Sequence, residues 1–128
     1  MTTAHVRVTS FGYGHGTPPV AHLTFDLRHH FRDPHVSPEL RHMTARDREV
    51  RRAVLDTPGV PALVEAVSDA VVAYLHGPGG QAVAVAVGCA GGRHRAAVVA
   101  EAIRTALADE DVTATVVHRD LDKPVINR

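Results

Sequence analysis

Apolar and polar positions along this chain change period several times, and each change marks an element. Val6-Arg-Val-Thr-Ser10 alternates and is rich in β-branched residues, which predicts a first strand. Phe11-Gly-Tyr-Gly-His-Gly16 followed by Thr17-Pro18-Pro19 is a loop punctuated by glycine and proline. Leu23-Thr-Phe-Asp-Leu27 predicts a second strand, and residues 29–41, with Pro34 and Pro38, an extended loop. Thr44 is placed to cap a helix from Ala45 to about Leu55, with Asp47 in a capping-box position. Thr57-Pro58-Gly59 breaks it. Pro61 suits the first turn of a longer helix to about Leu75, in which Leu63, Val64, Val67, Val71 and Leu75 recur at helical spacing. After the turn Gly77-Pro-Gly-Gly80 come an apolar strand over 81–88, a loop opening at Cys89, and an Ala-rich helix from Ala96 to about Ala108. A strand from Val112 to His118 follows, and the tail Asp120 to Arg128 shows no period.

The second half is thus β-loop-α-β, a unit that joins parallel strands. The expected fold is a single-domain α/β sandwich with a mostly parallel central sheet and a strand–Gly loop–helix phosphate site. Residues 1–121 would form the domain and 122–128 a tail. The all-apolar strand Val83–Val87 fits a central position buried on both faces. A ligand belongs at the carboxyl ends of such strands.

Composition narrows the function classes. The chain has 128 residues, enough for one core, with 45% apolar and 22% charged positions, ordinary for a globular domain. Lys+Arg and Asp+Glu are 14 each, so no global basic field recruits nucleic acid or an anionic membrane. Cys89 is the one cysteine, which excludes an intrachain disulfide. No signal-peptide pattern and no apolar run of membrane-spanning length occur, so a cytoplasmic protein with no membrane partner is expected.

The chemistry gathers at predicted strand ends. After Val83–Val87 comes Gly88-Cys-Ala-Gly-Gly-Arg-His-Arg95, then a helix: a turn that aims backbone N–H groups and a helix dipole at one point, beside two arginines and a histidine. The natural guest is a phosphate ester. The loop after Ser10, Asp26-Leu-Arg28 and His118-Arg119 also begin where strands stop.

Two other chemistries are readable. Cys89 and Arg95 have the Cys-x5-Arg spacing of cysteine-dependent phosphatases, in which a thiolate attacks phosphorus, the arginine holds equatorial oxygens, and Asp26 or Asp33 would be the acid. Gly88 stands where a histidine is usual, and Ala96 supplies no hydroxyl after the arginine. His29, His30, His35 and His42 are close in sequence, but with neither a His-Glu-x-x-His helix nor a cysteine pair, no metal site is expected.

Ser10-Phe-Gly-Tyr-Gly-His-Gly16, Phe25-Asp-Leu-Arg28, Asp33-Pro-His35 with Pro38-Glu-Leu-Arg41, Gly88-Cys-Ala-Gly-Gly-Arg-His-Arg95 and His118-Arg-Asp-Leu121 together resemble the C-terminal domain of RapZ, the RNase adaptor family also called YvcJ-like. The resemblance spans about residues 6–123. It implies an α/β fold similar to a phosphofructokinase subdomain and a sensor for glucosamine-6-phosphate, which in enterobacteria also binds small regulatory RNA and presents it to an endoribonuclease. Mapped by motif, Asp26 and Arg28 would contact the ligand with His35 nearby. Cys89, Ala90, Gly91 and Gly92 would line the phosphate turn, and His94 and Arg95 would hold the anion. His15, Arg93, His118 and Arg119 are pocket-rim or RNA-contacting positions.

The chain departs from the family in three places. The family's N-terminal nucleotide-binding domain has no counterpart here and no Gly-x-x-x-x-Gly-Lys-[Ser/Thr] occurs, so a stand-alone domain without ATP or GTP binding is expected. Ala90 replaces a common threonine, at a cost of about 0.5–1.5 kcal/mol for the lost hydroxyl donor. The tail lacks a dense Lys/Arg end, and Asp47 and Glu49 interleave the arginines of Arg46 to Arg52, so RNA affinity should be modest. The favoured function is a non-catalytic sensor of an amino-sugar phosphate that needs no cofactor, with an RNA or regulatory protein as a second class of partner and self-association left open. The alternative is a phosphatase using Cys89, Arg95 and Asp26.

Overall fold

The computed structural model describes residues 5–79 and 81–126; residues 1–4, Gly80 of the expected turn, and Asn127 and Arg128 of the expected tail lie outside them. In chain order the elements are β1 (His5–Gly12), a 3-10 turn Tyr13–His15, β2 (Leu23–Asp26), a 3-10 turn Pro34–Val36, α1 (Arg48–Leu55), α2 (Val60–His76), β3 (Ala82–Cys89), α3 (Arg95–Asp109) and β4 (Ala114–His118). The four strands form one sheet in the order β2-β3-β1-β4, and every pairing is parallel. The single-domain α/β expectation is borne out.

The core follows from alternation. Val6, Val8, Val83, Val85 and Val87 share one sheet face by their two-residue period and join a buried cluster with Val64, Val67 and Val71 of α2 and Val99, Ile103 and Leu107 of α3. Leu63 and Leu75, expected on the buried stripe of α2, are half-buried; Val60 and Ser68 take its buried places. Ser68 is tolerated because its hydroxyl donates to the Val64 carbonyl at 2.9 Å.

Several boundaries move, each for a local reason. β1 continues through Phe11 and Gly12, which pair with Gly88 and Cys89. Cys89 is accordingly the last strand residue, not the first of a loop. α1 begins at Arg48 rather than Ala45: the Ala45 N–H donates to the Arg93 carbonyl at 2.9 Å, and Thr44 N–H to Asp47 Oδ2 at 2.9 Å. The reach-back half of the capping box therefore forms, but as a turn that docks on the glycine loop. β4 starts at Ala114, not Val112, because Val112 N–H closes the end of α3 on the Leu107 carbonyl at 2.8 Å, helped by Asp111 at φ 60°. β3 is central, but Ala82 is exposed and Ala84 half-buried, so only its C-terminal half is covered on both faces. There, a β-carbon on Gly88 would stand 2.4 Å from Phe11 Cζ and 2.6 Å from Tyr13 Cε2: glycine makes the room those rings fill.

Candidate functional site

Since the strands are all parallel, their C-terminal ends share one edge. Gly12 lies opposite Cys89, Asp26 opposite Gly88, and Ser10 opposite His118. The four segments singled out in the sequence therefore leave the sheet on the same side. β3 ends at Cys89 and α3 starts at Arg95, with the glycine turn between them. Gly92 has φ 77°, and a β-carbon there would meet Gly12 N at 2.8 Å; one on Gly12 would meet the Gly91 carbonyl carbon at 2.4 Å. The turn and the end of β1 thus touch backbone to backbone, which requires glycine on both sides.

Asp33, His35, Cys89, Gly91, Arg93, His94 and Arg95 line one small cavity, closed further by Val125 and Ile126. It offers about 10 Å³, room for at most one water. Cys89 is buried and its Sγ accepts the Ala96 N–H at 3.4 Å. Arg95 is buried too. Its Nη1 donates to the carbonyls of Leu27, Arg28 and Phe31 at 2.9, 3.0 and 3.2 Å, and its Nη2 pairs with Asp33 Oδ2 at 3.2 Å. Arg93 donates from Nη1 to the Lys123 carbonyl and from Nη2 to that of His42, each at 2.9 Å. The Nε atoms of both arginines are buried and have no acceptor among the described residues.

His94 Nε2 lies 2.8 Å from the Met43 carbonyl oxygen and 3.1 Å from that of Leu40, so Nε2 carries the proton and the ring is fixed in one tautomer. Burial pushes its pKa down, against the upward pull of the Met43 carbonyl. His35 sits in the 3-10 turn that Asp33 caps: Asp33 Oδ1 accepts the His35 N–H at 3.0 Å.

The other expected positions are spread around this cavity. Asp26 and Arg28 are partly exposed and paired with each other, Arg28 Nη2 standing 2.7 Å from Asp26 Oδ2. The Arg28 guanidinium stacks 3.7 Å from the centroid of the Tyr13 ring. Hydrogen bonds from Arg28 hold the Asp26 carboxyl at about 2, so it is an anion at neutral pH. The Ala90 carbonyl accepts the Gly14 N–H at 2.9 Å. His15 Nε2 lies 3.2 Å from the Pro124 carbonyl oxygen.

His118 is not among the cavity-lining residues. Its Nδ1 is 2.6 Å from Ser10 Oγ and its Nε2 3.1 Å from Glu101 Oε2, a bridge from β1 to α3. Arg119 is likewise engaged, donating to the carbonyls of Thr17 and Gly12 and to Asp120. Among the described residues, no three His, Cys, Asp or Glu side chains stand together as a metal site.

Four residues were not named as site positions from the sequence. Tyr13 carries the Arg28 guanidinium. Asp120, fully buried, accepts Gly12 N–H at 2.7 Å and pairs with Arg119 and Lys123 at 2.9 and 2.6 Å. Val125 and Ile126 wall the cavity from a stretch without period, which left no periodic signal to find them by. A carboxylate between Arg119 and Lys123 was a visible signal for Asp120.

Comparison with known proteins gives one consistent neighbourhood. The family model described as RapZ C-terminal domain matches residues 4–122. A nucleotide-binding protein of Thermobifida fusca is 36% identical over 125 residues, covering 95% of this chain and 42% of the relative. One from Mycolicibacterium vanbaalenii is 39% identical over 127 residues, covering 95% and 40%, and one from Thermotoga neapolitana 40% identical over 122 residues, covering 92% and 43%. The chain spans about two fifths of the length of these curated relatives.

Proposed function

This chain belongs to the RapZ C-terminal domain family, and from that premise we propose that it is a regulatory binding domain for a phosphorylated small molecule, an amino-sugar phosphate such as glucosamine-6-phosphate. One observation carries the reading. The cavity at the start of α3 is bounded by Arg93 and Arg95, each with a buried Nε–H that has no acceptor among the described residues. Buried donors without partners are costly, roughly 1–3 kcal/mol each, and an anion relieves that cost. The dipole of a 15-residue helix adds to the attraction. Charge-assisted bonds from guanidinium to phosphate are stronger than neutral ones.

In this reading Gly91 gives the phosphate close access to backbone, with Cys89, His35 and His94 as walls, while Ala90 and Gly92 complete the turn. Asp26 and Arg28 stand outside as the sugar-facing pair. The Asp26 carboxylate suits the ammonium of an amino sugar, and Arg28 the ring hydroxyls. Arg95 serves the anion through Nε while its other nitrogens hold the loop before it.

Calorimetry tests the assignment on the full chain. Glucosamine-6-phosphate is expected to bind, glucosamine without phosphate to fail, and glucose-6-phosphate to bind more weakly. Asp26→Asn should abolish the preference for the amine, and the partly exposed Arg28→Ala should weaken binding without unfolding the domain. Failure of every phosphorylated sugar at millimolar concentration would overturn the proposal.

A further inference from the structure

The last described residues, Asp122–Ile126, form neither helix nor strand, yet they lie on the glycine turn. The Ile126 side chain packs on backbone: a β-carbon at Gly14 would stand 2.7 Å from Ile126 Cδ1, and one at Gly91 3.7 Å from its Cγ1. With Val125 it walls the arginine-lined cavity.

We propose that Asp122–Ile126 is a strap that closes the anion cavity and must lift for a phosphorylated ligand to enter, so that site occupancy and strap release are one event. The proposal rests on the phosphate reading of that cavity.

Size is the first argument. Sites for small molecules run from roughly 300 Å³ upward. The closed cavity offers about 10 Å³, so a sugar phosphate cannot enter unless a wall moves.

The walls differ in how firmly they are held. Cys89, His94 and Arg95 are buried in the core edge and tied by the bonds described above. The strap is anchored at its start by Lys123 Nζ on the buried Asp120 carboxylate at 2.6 Å, and otherwise held on the outside, by Arg46 paired with Asp122, by His15 near the Pro124 carbonyl, and by Arg93 bonded to the Lys123 carbonyl. Apart from the Lys123–Asp120 anchor these are exposed contacts, which contribute little stability. Beyond that anchor, the strap is the wall that yields.

Arg93 supplies the coupling. The same guanidinium that donates Nη1 to the strap carbonyl belongs to a residue lining the cavity, and its buried Nε has no acceptor among the described residues. An anion that draws this guanidinium inward competes with the Lys123 carbonyl for it. In the closed state, the apparent dissociation constant is the intrinsic one divided by the fraction open, so anything that loosens the strap tightens binding.

Two variants of the full chain test this, with glucosamine-6-phosphate and inorganic phosphate as probes. Ile126→Ser removes the apolar contact at a half-buried position, and Asp122→Ala removes the exposed latch. Ile126→Ser is expected to bind glucosamine-6-phosphate at least threefold more tightly with faster association, and Asp122→Ala to shift the same way by less. Amide exchange followed by mass spectrometry should show the ligand increasing exchange at 123–126 in the unaltered chain while slowing it at 91–95. Unchanged or weaker binding by Ile126→Ser, with 123–126 more protected in the complex, would overturn the strap alone. Absence of binding of either probe to every chain would overturn the phosphate reading and the strap with it.

Discussion

Asp33 Oδ2 stands 3.2 Å from Arg95 Nη2, and this pair ties the segment after β2 to the first residue of α3. The guanidinium also collects three carbonyls from Leu27 to Phe31, so Arg95 organises the loop that carries Asp26 and Arg28. Its side chain is 3% exposed. Arg95→Ala would leave the Asp33 carboxylate and three carbonyls short of donors. Removing one partner of a buried pair costs about 3–5 kcal/mol. Urea denaturation is expected to show a much lower midpoint with an unchanged slope. Arg95→Lys should recover only part, because an ammonium cannot span four acceptors as a planar fork does. A midpoint within experimental error of the unaltered chain would contradict this role.

Much of this arrangement was legible in the sequence. Alternation, apolar runs, helical spacing and cap or turn residues together marked the four strands and three helices of the described residues, and parallel strands follow from the β-loop-α-β order. The convergence of Asp26, Cys89 and His118 at one sheet edge then needs no further information. What pattern could not supply was where each polar side chain spends its donors. Arg95 and His118 read as ligand-facing because of the motifs around them; in the fold, Arg95 divides itself between backbone and cavity, and His118 turns to Ser10 and Glu101. The strap was illegible for a different reason. Val125 and Ile126 are held by fit against Gly14 and Gly91, a long-range contact with no local signature.

Asp120 sets a pH dependence. Burial pushes its carboxyl up, but hydrogen bonds from Arg119, Gly12 N–H and Lys123 outweigh burial and bring it to about 2, below the ordinary 3.8. Between those values the unfolded chain binds more protons, so stability rises with pH there. The contribution is complete above about pH 5 and is lost as pH falls toward 2. Asp26, held at about 2 chiefly by Arg28, acts in the same direction but is partly exposed and counts for less. Thermal unfolding from pH 6 to pH 2.5 should therefore fall steeply, and Asp120→Asn should flatten the acid limb while lowering stability at neutral pH. An acid limb of unaltered slope in Asp120→Asn would rule the residue out.

The contact between Gly12 and the glycine turn predicts a severe small substitution. A methyl at Gly12 would meet backbone atoms of Gly91 at 2.4 and 2.6 Å and of Gly92 at 2.8 Å, and backbone cannot rotate away. Gly88→Ala also overpacks, against the Phe11 and Tyr13 rings, but side chains can shift, and a cost of about 1–3 kcal/mol is expected. Gly12→Ala should cost more than Gly88→Ala and weaken ligand binding even where the chain remains folded, since it displaces the turn itself. Denaturation midpoints and calorimetry on the two variants decide the order. Equal midpoints and equal affinities would mean that the turn moves freely against β1.

The thiol of Cys89 separates binding from phosphoryl chemistry. A nucleophile must reach its substrate beside an arginine free to hold the equatorial oxygens. Cys89 is 3% exposed, its Sγ accepts the Ala96 N–H, and the Nη atoms of Arg95 are committed to Asp33 and to loop carbonyls. In the native state the thiol should therefore react with an aromatic disulfide reagent at least tenfold more slowly than in urea. Cys89→Ser keeps an acceptor for the Ala96 N–H, so it should cost about 1 kcal/mol of stability and leave glucosamine-6-phosphate affinity within about threefold. No phosphate release is expected from either chain over a panel of phosphate esters. Turnover by the unaltered chain that disappears in Cys89→Ser would reverse the assignment and make this cavity a catalytic one.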